Sequence, residues 1–283
     1  MKIQTFPVHP ALQPYVRVFL SIDGCFPQSP PQAISPKGEA ALFFPFRQPS
    51  SLFAFPTSKS IFSDSSVGLH KMFLVGQSNT YGLANWEGDT SLIIVPLSTT
   101  GFYHFLQEST CSITNSFYSL DYLNLRSSHQ ELQERLWEVQ DASNAQQLIE
   151  SFLLRHFYKL TYVDNLSSNI QPVTNWINKT SGLIHIDKIA DKFRLSTRRL
   201  QQLFAQQVGL SPKQYSRVIR FRSLIQKIHQ KPQTSLMQIV ADFDFTDESH
   251  LIRDFKQFLN ITPTLYSENK PLFDQFVFKN AFP

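Results

Sequence analysis

Between Ile186 and Tyr266 apolar residues recur at spacings of three and four, and they do so in one arrangement twice. The first copy carries Ile186, Ile189, Ala190, Phe193, Leu195, Leu200, Leu203 and Phe204; the second carries Leu236, Ile239, Val240, Phe243, Phe245, Leu251, Phe255 and Phe258. Such spacing puts the apolar side chains on one face of a helix, so each copy reads as a short helix, a tight turn and a second helix. Ser196 and Asp247 stand where an N-cap belongs, each able to accept from unpaired N–H groups of the helix start. Each copy is therefore a helix-turn-helix unit. From Ser211 to His229 the apolar set Tyr215, Val218, Ile219, Phe221, Leu224, Ile225 and Ile228 predicts a single helix joining the two. At ~1.5 Å per residue, ~18 residues span roughly 27 Å.

Upstream the period changes. Short apolar runs at Val16–Ile22, Ala40–Phe46, Leu52–Phe55, Met72–Val75 and Leu92–Val95 alternate with turn signals such as FPQSPPQAISPKG (Phe26–Gly38) and WEGD (Trp86–Asp89). Several short strands at this spacing predict a small barrel or sandwich. A short helix follows over Gly101–Glu108. Residues Ser128–Tyr162 turn helical, with one stripe at Leu132, Leu136 and Val139 and a second at Leu148, Phe152, Leu153 and Phe157, capped by Ser143 or Asn144. Two readings of these stripes stand: a dimerisation helix pair, or a cover for the β core. The polar run Tyr162–Gln171 is the linker candidate. The expected fold class is α+β with two domains: a β-rich domain with its two following helices over 1–165, an all-α domain over 170–270 with units at about 186–209 and 235–258, and a tail over 271–283.

The residues that repeat carry a resemblance. Leu195-Ser196, Leu200, Phe204, Gly209-Leu210-Ser211-Pro212 and Tyr215, then Ile239, Phe245, Asp247, Ser249-His250-Leu251, Arg253, Phe255-Lys256, Thr262-Pro263 and Tyr266, make this part similar to the DNA-binding domain of the AraC/XylS family of bacterial transcription regulators. More faintly, Pro10, Leu12, Pro14-Tyr15-Val16, Pro36-Lys37-Gly38, Gly76-Gln77, Pro96 and Gly101-Phe102 resemble the sensor-like N-terminal domain of one branch of the family, which implies a cupin-like β-fold. The paired His and following Glu of a cupin metal site are missing, and His70 and His104 stand alone, so no metal and no cofactor is expected. The family's turn glycines are replaced by Arg194, Asp244 and Asn260; Asp and Asn tolerate the left-handed backbone better than Arg does.

Charge and chemistry then narrow the function. From Ile170 onward 16 Lys and Arg stand against 9 Asp and Glu, whereas the first 169 residues hold 10 against 13. A basic C-terminal part beside a mildly acidic one suits a nucleic-acid binder joined to something else. Inward-facing Leu200, Leu203 and Phe204 leave Arg198, Gln201 and Gln202 outward, and these align with the family's base-reading positions. Arg can bridge guanine O6 and N7, and Gln adenine N6 and N7, in the major groove. In the second unit Glu248 and Ser249 are the base-contacting candidates. Arg199, Lys213, His250, Arg253 and Lys256 are expected on the DNA backbone. Arg217, Arg220, Arg222 and Lys227 flank the joining helix and read as solvated or phosphate-facing.

No phosphate-cradling Gly loop, HExxH, GxSxG or CxxC pattern occurs, so an enzyme is not expected. Cys25 and Cys111 read as two inert, buried thiols of a reduced cytoplasmic protein, and no signal-peptide run or membrane-length span is seen. The expected function is sequence-specific regulation of transcription on double-stranded DNA, controlled by a ligand or by dimerisation through the N-terminal domain. A small-molecule effector, a second copy of the chain and RNA polymerase are the further candidate partners. The alternative is a degenerate helical interaction module that has lost specific DNA binding.

Overall fold

The structure, a computed structural model, describes residues 2–27, 30, 32–47, 52–54, 66–68, 71–85, 88–122, 128–160 and 170–268. His70, most of the linker candidate and the tail beyond Glu268 lie outside these residues.

Among the described residues, ten strands build the N-terminal domain: β1 (Lys2–Phe6), β2 (Phe19–Phe26), β3 (Gln32–Ile34), β4 (Ala41–Pro45), β5 (Leu52–Ala54), β6 (Ser66–Gly68), β7 (Phe73–Val75), β8 (Gly82–Asn85), β9 (Gly88–Pro96) and β10 (Phe117–Ser119). They form a six-stranded sheet in the order β1-β2-β9-β4-β7-β10 and a four-stranded sheet in the order β3-β8-β5-β6, every pairing antiparallel. Side chains alternate across a strand, and the large sheet uses both faces. Leu20, Ile22, Phe43, Phe73, Leu92 and Ile94 pack with Ala84 and Ile34 of the small sheet. Phe19, Leu42, Phe44, Leu74, Ile93 and Val95 point the other way, into a second cluster. Burial on both sides explains why these strands read as unbroken apolar runs.

That second cluster is covered by α1 (Thr99–Leu106), α2 (Ser128–Glu138) and α3 (Ala142–Leu160). Leu132, Leu136, Ile149, Phe152, Leu153 and Phe157 are all buried in it. Phe152 meets Phe44 edge-on at 6.3 Å, and Phe157 stacks on Tyr15 at 4.3 Å. Both helical stripes thus cover the β core, the second of the two readings. The cap of α3 is neither Ser143 nor Asn144: Asp141 Oδ1 accepts from both of their backbone N–H groups at 2.9 Å. Two of the turn stretches hold strand instead. β3 lies inside the Pro-rich run, paired with β8, and Gly88 and Asp89 of WEGD extend β9 against Phe26 and Cys25. Cys25 and Cys111 are exposed, contrary to expectation, the first near the end of β2 and the second in a single 3-10 turn, Thr110–Ile113.

The C-terminal domain is helical throughout: α4 (Gln171–Lys179), α5 (Ile186–Phe193), α6 (Thr197–Gln207), α7 (Pro212–Gln230), α8 (Leu236–Asp242), α9 (Glu248–Leu259) and α10 (Pro263–Glu268). One apolar cluster runs through all of it, from Ile170 to Tyr266, with every expected apolar residue of α7 buried. A capping box at Ser211 and Gln214 starts α7. Gly209, just before it, has φ +85° and lies so close to the Thr110–Thr114 segment that a Cβ would stand 2.8 Å from Thr114 Oγ1. Only glycine meets both demands.

Candidate nucleic-acid interface

Each helix-turn-helix unit is set by local chemistry. In the first, α5 ends on Arg194 with φ 52°, and Ser196 starts α6 by accepting from Arg199 N at 3.2 Å. In the second, the turn after α8 passes through Asp244 with φ 52°, and Asp247 Oδ1 accepts from His250 N at 2.7 Å to start α9. Asn260, φ 58°, closes α9. All three residues in the turn-glycine positions therefore adopt the left-handed backbone that the turns require, Arg194 included.

Burial sorts the faces of α6 and α9. Leu200, Leu203 and Phe204 are buried, while Arg198, Gln201, Gln202 and Ala205 are exposed. Leu251 and Phe255 are buried, Glu248, Ser249 and Arg253 are exposed, and Ile252 is half-buried. Arg199, Lys213 and Lys256 are exposed beside these faces. Glu248 occupies the first turn of α9, where a carboxylate is also favoured by the helix dipole. His250, in the first turn of α9, is less open than these. It is half-buried, its ring edge lies on Phe245 at 5.1 Å, and its Nε2 is 3.5 Å from Arg220 Nη2.

The flanking cations of α7 do not face solvent as expected, because α7 is packed between α9 and the β-domain. Asp254, on the inner face of α9 and fully buried, takes Arg217 through Nε at 2.9 Å and Nη2 at 2.5 Å, and Arg220 Nη2 at 3.3 Å. Arg220 also lies over the Phe245 ring at 4.3 Å. Arg222 Nη1 donates to Lys37 O at 3.0 Å and Nη2 to Asn178 Oδ1 at 2.6 Å, and Lys227 pairs with Asp242. The Arg spacing along α7 was legible; a carboxylate in reach, 34 and 37 residues away, was not.

Among the described residues hydrogen bonds join the β-domain to this helical domain at three places. Thr110 Oγ1 donates to Gln206 O at 3.1 Å, Thr114 Oγ1 to Gly209 O at 2.5 Å, and Gln206 Nε2 to Tyr103 OH at 3.2 Å, all at the C-terminal end of α6. Gln257, near the end of α9, donates to Asn79 O at 3.0 Å, and its carbonyl accepts from Thr80 Oγ1 at 3.3 Å. The third place is the middle of α7, described below. None of these contacts covers Arg198, Gln201, Gln202, Glu248 or Ser249.

Two domains, one a two-sheet β-domain and one carrying paired helix-turn-helix units on a shared helix, define a class of two-domain helix-turn-helix proteins. A family model described as "Helix-turn-helix domain" matches residues 189–269, and one described as "Domain of unknown function (DUF6597)" matches residues 4–119. An "Uncharacterized HTH-type transcriptional regulator" of Haemophilus influenzae is 24% identical over 102 residues, which is 36% of this chain and 31% of that protein. The match thus spans about a third of the curated relative's length. Among solved structures, ToxT from Vibrio cholerae superposes with a TM-score of 0.50 at 11% identity, covering 88% of this chain and 98% of that one, a likeness of fold. Residues 189–269 therefore form a helix-turn-helix domain of the AraC type. Among the described residues no helix is long and apolar enough to cross a membrane, and no group of three or more His, Cys, Asp or Glu is placed to hold a metal ion.

Proposed function

We propose that this chain binds double-stranded DNA sequence-specifically and regulates transcription in the cytoplasm, with α6 and α9 entering successive major-groove segments. The observation that carries the reading is the pair of capped helices with exposed polar faces, held by one uninterrupted α7 of 19 residues. That length, roughly 28 Å at ~1.5 Å per residue, suits two groove segments about one turn, ~34 Å, apart. Arg198, Gln201 and Gln202 supply base contacts in the first segment, and Glu248 and Ser249 face the second. Arg199, Lys213, His250, Arg253 and Lys256 hold phosphates at the edges of these faces. Two unlike units give each monomer an asymmetric site. Control through the β-domain, by a small-molecule effector or by pairing of two copies, and contact with RNA polymerase are the finer parts of the proposal. The chemistry is binding, not catalysis.

Selection of bound sequences from random duplex DNA with the full chain, at two salt concentrations, tests it. An enriched asymmetric motif of two boxes one turn apart is the expected result. Salt-sensitive binding without a motif would mean that the basic surface grips phosphates only. No binding at all would favour a helical interaction module. With a motif in hand, Arg198→Ala and Gln202→Ala should each cost about 1–3 kcal/mol of discrimination at one base.

A further inference from the structure

The third contact between the domains is ionic and buried. The turn that carries Lys37, Gly38 and Glu39 lies against α7. Gly38, with φ +75°, comes so close that a Cβ there would stand 2.5 Å from Ile219 Cδ1. Glu39 follows it with a side chain only 4% exposed, paired with Arg17 of its own domain and 3.9 Å from Arg222 Nη1 of α7. Arg222 is itself 11% exposed, and it binds the carbonyl of Lys37 on one side and Asn178 of α4 on the other. Asn178 Nδ2 donates to the Tyr215 hydroxyl at 3.0 Å, which lies 3.3 Å from Thr99 Oγ1 of the β-domain. Among the described residues Glu39 Oε2 accepts no hydrogen bond.

We propose that Glu39 and Arg222 are the catch of an interdomain brace: through them the β-domain holds α7, and with it the C-terminal ends of α6 and α9, by a contact that buried ions keep marginal. The three contact sites reach both helix-turn-helix units and the helix between them, so the β-domain grips the whole frame that sets one unit against the other. They do so from behind, leaving the outward faces clear. That these faces read DNA rests on the function proposed above; the brace itself does not.

The marginality follows from the cost of burying charge. Ion pairs removed from water recover their lost hydration only when geometry and extra hydrogen bonds are complete, and an apolar pair of similar volume often holds a contact better. Here desolvation pushes the Glu39 carboxyl above its usual range, although Arg17 and Arg222 both pull it down. Burial likewise lowers Arg222, against the pull of Glu39. The catch is thus an arrangement that a small change can release.

Amide hydrogen exchange on the full chain tests the brace without DNA. Arg222→Met leaves the Glu39 carboxylate with Arg17 alone. Exchange should then accelerate about tenfold or more across residues 213–222 together with residues 204–209 and 255–260, while Leu92–Val95 in the large sheet stay protected. The double variant Glu39→Met/Arg222→Met removes both buried charges and should restore protection at all three places to the parent level or beyond. Unchanged exchange in Arg222→Met overturns the catch. Acceleration confined to α7 overturns the brace, since the ends of α6 and α9 would then be held independently. A double variant as open as Arg222→Met also overturns it, because the ions would then be the main attraction. Failure of the DNA-binding proposal would show instead as a missing motif in the selection, with the exchange results standing by themselves.

Discussion

Asp254 offers the sharpest energetic test, because its carboxylate is fully buried while its two partners are not. The Arg217 and Arg220 side chains are 34% and 15% exposed. If Asp254→Leu removes the anion, Arg217 can turn to water, and Arg220 keeps the Asp244 carbonyl at 3.4 Å and the Phe245 ring. The remaining cations are therefore rehydrated or still partnered, and the loss should stay near 1–2 kcal/mol, below the usual cost of an orphaned buried charge. Arg217→Met/Arg220→Met does the opposite. It leaves a carboxylate of zero exposure with no cation, and such a group costs about 3–5 kcal/mol. The two ends of one ion cluster should thus differ by roughly 2 kcal/mol, a factor of about 30 in the population of opened α9. Native-state hydrogen exchange at Leu251–Phe258 in the full chain reads that opening free energy directly. Equal costs for the two variants, or a larger cost for Asp254→Leu, would refute the account of Asp254 as the buried anchor of α9.

Three further outcomes are expected. Removing Arg199 or Lys213 should each lower the slope of log K against log salt for DNA binding by about 1, whereas Arg217→Met should leave it unchanged, because Arg217 is already engaged by Asp254. Arg194→Gly should raise thermal or urea stability by about 0.5–1 kcal/mol, since Arg194 sits at φ 52° where a Cβ is penalised, less the extra chain entropy of glycine. Closure of the domain interface should depend on pH through Glu39, which is surrounded by Arg17, Arg222 and Tyr215. Its carboxyl is raised by burial, so the closed form binds the proton more tightly. Closure is then most favoured at and below the ordinary carboxylate range, and it weakens as pH rises through the raised value. Exchange of residues 213–222, corrected for intrinsic rates, should show this trend, and Glu39→Met should abolish it.

What the sequence disclosed and what it withheld divide by distance along the chain. The caps at Ser196 and Asp247, the left-handed turn positions and α7 all depend on neighbours within four residues, and all were legible. The strands of the sheet centre were legible too, because burial on both faces gave them unbroken apolar runs. β1, β3, β6, β8 and β10 were not. Their few residues, such as GLAN in β8, carry no strong pattern, and they are strands only because distant partners offer hydrogen bonds. The exposed cysteines fall in the same class, since burial is a property of the packed domain. So do the arginines of α7: Arg222 finds its carbonyl at Lys37, 185 residues earlier.

Those arginines change how the charge of the helical domain should be read. The surplus of basic over acidic residues beyond Ile170 looks like a DNA footprint when only counted. In the folded chain Arg217 and Arg220 neutralise Asp254, Lys227 neutralises Asp242, and Arg222 is sealed between the domains. About three turns of α7, from Arg217 to Lys227, therefore commit their charge to orienting α8 and α9 and to joining the β-domain. The phosphate contacts proposed above fall to cations at the edges of the outward faces, Arg199, Lys213, Arg253 and Lys256 among them. Because α7 is shared in this way, a shift of α7 reaches Asp254 on one side and Glu39 on the other. Under the proposed function, a shift of α7 would be enough for the β-domain to reset the distance between the two outward faces without touching either.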